Sequence, residues 1–144
     1  MRRRALLSSL ALASVIFAAG EASAARIAVT ISGLKSNEGG IYVGLYATPS
    51  KFLNGTQVDA MKKVRASTAP VTVVFDNLPP GTYAVGAYHD ENNNDHLDTG
   101  FLGLPTEGYA LSNGVRAATS KPSFQQAAFT VGDTGAAVLL QILY

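Results

Sequence analysis

The run Phe75-Asp76-Asn77-Leu78-Pro79-Pro80-Gly81-Thr82-Tyr83-Ala84-Val85 constrains the fold of this chain more than any other stretch. Segments of strand character flank two prolines and a glycine, leaving room only for a tight reversal. The prolines hold φ near about −65° and the glycine can supply the positive φ that a reversal needs. Residues 71–75 and 83–88 are therefore two core strands joined by this turn. The same alternation recurs elsewhere. Ile27, Val29 and Ile31 share one face of residues 26–32, with Ala28 and Thr30 on the other, and Ile41, Val43 and Leu45 repeat the pattern. Residues 26–32 and 41–46 read as a hairpin closed by the glycine-containing loop at 33–40.

Between these strands, residues 49–53 suit one helical turn. Val58, Met61 and Val64 at spacing three, with Lys62, Lys63 and Arg65 among them, predict a short amphipathic helix or an ordered crossing loop with a solvated basic face. Residues 100–109 hold too much glycine for a helix and read as a long functional loop. Ser123 and Gln126, after Pro122, have capping-box spacing and predict a single helical turn. Residues 128–131 and 136–143 are the last strands, the final one apolar on both faces and hence expected at a sheet centre. At least six short strands, tight turns and little helix define the expected class: all-β, an antiparallel two-layer β-sandwich with one or two short helical turns.

Residues 1–24 carry Arg2, Arg3 and Arg4, an apolar run over 5–19 and Ala22-Ser23-Ala24, the pattern of a secretory signal peptide cleaved after Ala24. Arg3-Arg4 also admits a twin-arginine signal. The apolar run is too short to span a bilayer, so residues 25–144 are expected as a single domain in the periplasm or outside the cell, not spanning the membrane after cleavage. The formal charge of +1 includes those three arginines and Glu21, so residues 25–144 carry −1 and nucleic acid is excluded as an expected partner. With no cysteine, no disulfide can hold such an exported domain, so its packed core, with help from any bound metal, must do so.

The chemistry of the chain concentrates at His89-Asp90-Glu91-Asn92-Asn93-Asn94-Asp95-His96-Leu97-Asp98. Asp90, Asn92, Asn94 and Asp98 fall at the first, third, fifth and ninth places of a calcium loop, and the His96 carbonyl at the seventh. Hard cations gather several oxygens, and asparagines supply them without adding carboxylate repulsion. The bidentate Glu expected at the twelfth place is missing, since Phe101 stands there. Glu107 is the substitute that a returning loop could supply, and the Asp95 side chain is another. The competing reading is a polar β-loop whose Asp and Asn residues satisfy backbone groups through Asx turns.

Two further hypotheses come from other residues. His89 and His96, with Asp90 and Glu107, could hold zinc or act as acid and base in a metal-dependent hydrolase, although a core-edge His89 is the simpler role. Tyr42, Tyr46 and Tyr88 stand opposite the aliphatic face with Gly44 and Gly86 between them. Such a shelf can stack on sugar rings in a carbohydrate-binding module, or can cover the glycines within the sheet. No nucleophile motif frames Ser112 or any other serine.

The turn F-x-x-L-x-P-G-x-Y resembles that of transthyretin-like and collagen-adhesin repeat sandwiches, which implies a transthyretin-like or immunoglobulin-like arrangement. Taken whole, residues 25–144 resemble domain-of-unknown-function family 2141, small secreted bacterial proteins. The matching motifs are G-I-x-V-x-L-Y at 40–46, L-P-P-G-x-Y-A-V, H-D-x-N-x-N ending in L-D, G-L-P-x-E-G-Y at 103–109, Ser112-Asn113 and P-S-F-x-x-A-x-F at 122–129. The chain departs from the family in having Asp95 where a glycine usually follows the third ligand. The resemblance implies no activity. The expected function is that of an exported envelope module, binding or structural, with a calcium-type loop, no catalytic activity, and an envelope protein or glycan as partner.

Overall fold

The computed structural model describes residues 24–117 and 120–144, so the expected signal peptide lies, except for Ala24, outside the described residues. The strands are β1 (Ala25–Ser32), β2 (Gly40–Tyr46), β3 (Ala60–Arg65), β4 (Val71–Leu78), β5 (Gly81–Asp90), β6 (Tyr109–Leu111), β7 (Phe129–Val131) and β8 (Ala136–Gln141). They form the expected two-layer all-β arrangement. One sheet has the order β4-β1-β8 and the other runs β3-β2-β5. The far edge of β5 pairs with β7 along residues 81–83 and with β6 along 86–88. Every pairing is antiparallel except β1 with β8.

The period-two pattern places the core between the sheets. Ile27, Val29 and Ile31 of β1 and Leu140 of β8 face Ile41, Val43 and Leu45 of β2 and Tyr83, Val85 and Ala87 of β5. Each fully buried aliphatic side chain here contributes roughly 1.5–3 kcal/mol, so the pattern itself supplies most of the driving force. The Tyr83 hydroxyl donates to the Pro79 carbonyl at 2.7 Å and locks the turn between β4 and β5.

Several expectations from sequence are corrected. β1 and β2 are not a hairpin, because they lie in opposite sheets with residues 33–39 crossing between the layers. Gly39 makes this crossing possible: its φ is +72°, and a Cβ there would lie 1.9 Å from the Asp90 carbonyl oxygen. The proline turn likewise joins strands of different sheets, and Asn77 (φ 58°), not Gly81, takes its positive φ. Residues 60–65 are the edge strand β3, not a helix. Met61 and Val64 point to opposite faces, while the ammonium of Lys62 lies 5.6 Å from the centre of the Phe75 ring. An inward-pointing lysine of this kind guards an exposed edge. β8 is an edge strand, with Leu139 80 % exposed, and β1 takes the central place.

A second cluster covers part of the outer face of the larger sheet. Phe52, Ala84 and Leu111 pack with Phe124 and Ala127 of α1 (Phe124–Ala127), and Phe52 meets both Tyr46 and Phe124 edge to face. The Ser123–Gln126 capping box forms as the spacing predicts, and Pro49–Lys51 is a single 3₁₀ turn. Buried Ser112 ties this cluster to the sheet. Its hydroxyl accepts from the Val85 N–H at 3.0 Å, in the gap that β6 and β7 leave along β5, and donates to the Ala127 carbonyl at 2.6 Å.

Candidate functional site

The acidic loop begins where β5 ends. Asp90, fully buried, accepts the Asn94 N–H on Oδ1 at 3.1 Å and the Asp95 N–H on Oδ2 at 3.0 Å. The Asn92 Oδ1 accepts from the Asn94 N–H and the Asn94 Oδ1 from the His96 N–H, two successive Asx turns. Their side-chain amides donate to the two oxygens of Asp98, each at 2.8 Å. The coil closes because Asn93 and Asp95 take positive φ, 56° and 65°. Asp95 thus adopts the left-handed conformation in the place where the resemblance calls for glycine, and Asp and Asn tolerate it better than other side chains.

Glu107 is brought back by a short hairpin rather than by an irregular loop. Thr106 N–H donates to the Asp98 carbonyl, Gly100 N–H to the Leu104 carbonyl, and Thr99 bridges Pro105. The Glu107 carboxylate, 8 % exposed, then accepts the Glu91 N–H at 3.0 Å and the Asp98 N–H at 3.1 Å. Asp90, Asn92, Asn94, Asp98 and Glu107 therefore meet in one network, to which His96 contributes its backbone N–H. Among the described residues no three His, Cys, Asp or Glu side chains group to hold a metal ion. The carboxylates here are engaged by amide and backbone donors, and each carboxylate retains lone pairs beyond these bonds.

Asp95 turns away from the network. Its carboxylate accepts from the Lys63 ammonium at 2.6 Å and from the Tyr42 hydroxyl. These hydrogen bonds hold the Asp95 carboxyl below its ordinary range, and the same contact raises Lys63. Lys63 is thus tied to the loop, where sequence suggested only a solvated basic face.

His89 is fully buried and both ring nitrogens are engaged. Nε2 lies 2.6 Å from the Glu38 carbonyl, which can only accept, so Nε2 carries the proton; Nδ1 then accepts from the Tyr144 hydroxyl at 2.6 Å. That hydroxyl also accepts from the Lys35 N–H. His89 pins the C-terminal residues to the loop between β1 and β2, and His96 is exposed on the acidic loop. The pair expected for zinc or acid–base work has one member committed to structure.

On the outer face of the larger sheet the rings of Tyr42 and Tyr88 stack at 4.9 Å, 5° from parallel, and the Lys63 ammonium sits 4.7 Å from the centre of Tyr42. Tyr46 covers the facing pair Gly44 and Gly86: a Cβ on Gly44 would lie 3.2 Å from its hydroxyl oxygen. Beyond these rings opens a cleft of about 790 Å³, lined by Leu53, Val58 and Met61, by Leu97 and Leu104, and by Lys121. No local motif announces it, because its walls come from three separated segments.

Comparisons with curated proteins and with solved structures find no match. Residues 29–138 match the model of a family described as an uncharacterised protein conserved in bacteria, domain-of-unknown-function family 2141, and the chain belongs to that family.

Proposed function

We propose that this protein is an exported β-sandwich of the cell envelope, a binding or structural module without catalytic activity, whose acidic loop takes up calcium. The observation that carries the reading is the return of Glu107 to the loop. Its carboxylate accepts from the Glu91 and Asp98 N–H groups of the loop that carries Asp90, Asn92, Asn94 and Asp98, and there it would serve as the missing twelfth-place glutamate. A cation would replace the asparagine amides as the partner of Asp98, with the His96 carbonyl completing the shell. The engagement of His89 by Glu38 and Tyr144 speaks against the hydrolase alternative.

Extracellular-type sites bind at about 10⁻⁴ to 10⁻³ M, so about 5 mM calcium would add roughly 1–2 kcal/mol of stability. Thermal unfolding of the purified protein after chelation, with and without calcium, tests this. A rise of several degrees in Tm that Asp98→Ala removes supports the reading. An unchanged Tm, with no heat of binding by calorimetry, refutes it and leaves the loop as a self-satisfied polar turn.

A further inference from the structure

We propose that the cleft on the outer face of the larger sheet binds an amphiphile with a single aliphatic chain and an anionic head, of the long-chain carboxylate type. The inference is independent of calcium and rests on three observations.

The first is where exposed apolar groups collect. Met61, Leu102 and Leu104 line the cleft while 45 %, 79 % and 44 % exposed, and Phe101, fully exposed, adjoins Leu102 at the hairpin tip. Apolar side chains left together at a surface mark a binding site more often than scattered ones do. The volume of about 790 Å³ lies in the range of small-molecule sites.

The second observation separates an aliphatic guest from a sugar. A sugar stacks on an open ring face and needs polar partners for its hydroxyls. Tyr42 is covered by Tyr88 and Lys63, and Tyr109 carries the Arg116 guanidinium 4.6 Å from its centre. The Tyr42 hydroxyl is spent on Asp95. The rest of the lining is largely aliphatic, from Val58, Met61, Leu97 and Leu104, with Thr56, His96, Thr99 and Ser120 as its polar members.

The third is charge. Asp95 lines the cleft but is neutralised by Lys63. Lys121 also lines it and forms no ion pair among the described residues. An apolar cavity with one uncompensated cation at its margin matches an apolar chain that ends in an anion.

The test is displacement of a fluorescent polyene fatty acid from the purified protein, with chelator present so that cation binding cannot intervene. Saturable binding at one site is expected, with tetradecanoate displacing the probe better than decanoate, by up to about fourfold per added methylene. Lys121→Glu should weaken tetradecanoate by up to about fivefold while leaving tetradecanol unchanged. Met61→Trp, which fills the cleft from an edge strand, should weaken both ligands by about tenfold or more. Leu104→Gln, on the exposed hairpin, serves if the tryptophan disturbs folding. Absence of saturable binding below the micellar concentration overturns the proposal, as does binding indifferent to both cleft variants. Retention on an insoluble polysaccharide that Met61→Trp releases would assign the cleft to glycans instead. Sedimentation with phosphatidylglycerol vesicles that Phe101→Ala abolishes, without displacement by tetradecanoate, would make the hairpin a membrane-docking tip instead.

Discussion

Replacing Asp90 by asparagine keeps the shape of the side chain and removes its ability to accept on both atoms. The native carboxylate is fully buried and holds the N–H groups of Asn94 and Asp95, at 3.1 and 3.0 Å. In the variant one oxygen still accepts, at the strength of a neutral bond. The other position becomes an NH₂ that faces an N–H donor. Hydrogen bonds to a charged group contribute about 1.5–3 kcal/mol each, and a buried donor left without a partner costs about 1–3 kcal/mol. Lost attraction to Lys63, 4.0 Å away and 43 % exposed, adds little because solvent screens it. The sum is about 3 kcal/mol, or roughly 10 °C in Tm for a domain of this size. Urea denaturation of Asp90→Asn in chelator gives the value directly, read from the shift in midpoint at unchanged slope. A loss below about 0.5 kcal/mol would show that the carboxylate does not hold these N–H groups without a cation, and the account of the loop as self-supporting would fail.

Two further outcomes follow from the same reasoning. Ser112→Ala leaves the Val85 N–H without its acceptor and the Ala127 carbonyl without its donor, so it should cost about 2–4 kcal/mol and accelerate exchange of the Val85 amide proton; an unchanged exchange rate would refute the bridging role. Burial works against the charge of Asp59, but hydrogen bonds from Lys51, Thr48 and Ala47 outweigh it and hold the carboxyl well below its ordinary range. With the folded pKa depressed, its stabilising contribution is present above the unfolded value near about 4 and is lost as pH falls through the lower folded value. An NMR titration of Asp59 with its midpoint at the ordinary aspartate value would contradict this.

Much of the site was legible in the sequence because its information is local. Alternate Asp and Asn positions on a tight coil lie close together, so the Asn92 and Asn94 side chains reach Asp98 while Asp90 holds the Asn94 and Asp95 N–H groups. Glu107 was legible as a candidate because a glycine-containing stretch with Pro105 can turn back, though the hairpin that returns it was not. The Asp95 side chain illustrates the limit. Its backbone conformation follows from its place in the loop, but its carboxylate is claimed by Lys63 and Tyr42, residues of strands 32 or more positions away.

The sequence by itself determined which residues face the core, since a period of two sorts every strand residue onto one side or the other. It also determined where the chain reverses, since proline, glycine and asparagine restrict or release φ at single positions. Tertiary structure alone decided which sheet each strand joins. β1 and β2 carry the same alternation whether they pair side by side or face each other across the core, and only the collective burial of both sheets selects the second arrangement. The same holds for β3, whose spacing of three suits a helix until the open edge of β2 offers backbone partners, and for β8, whose apolar faces suit a central place until β1 occupies it. The cleft belongs wholly to this level, because its apolar walls meet through packing between segments that share no local pattern.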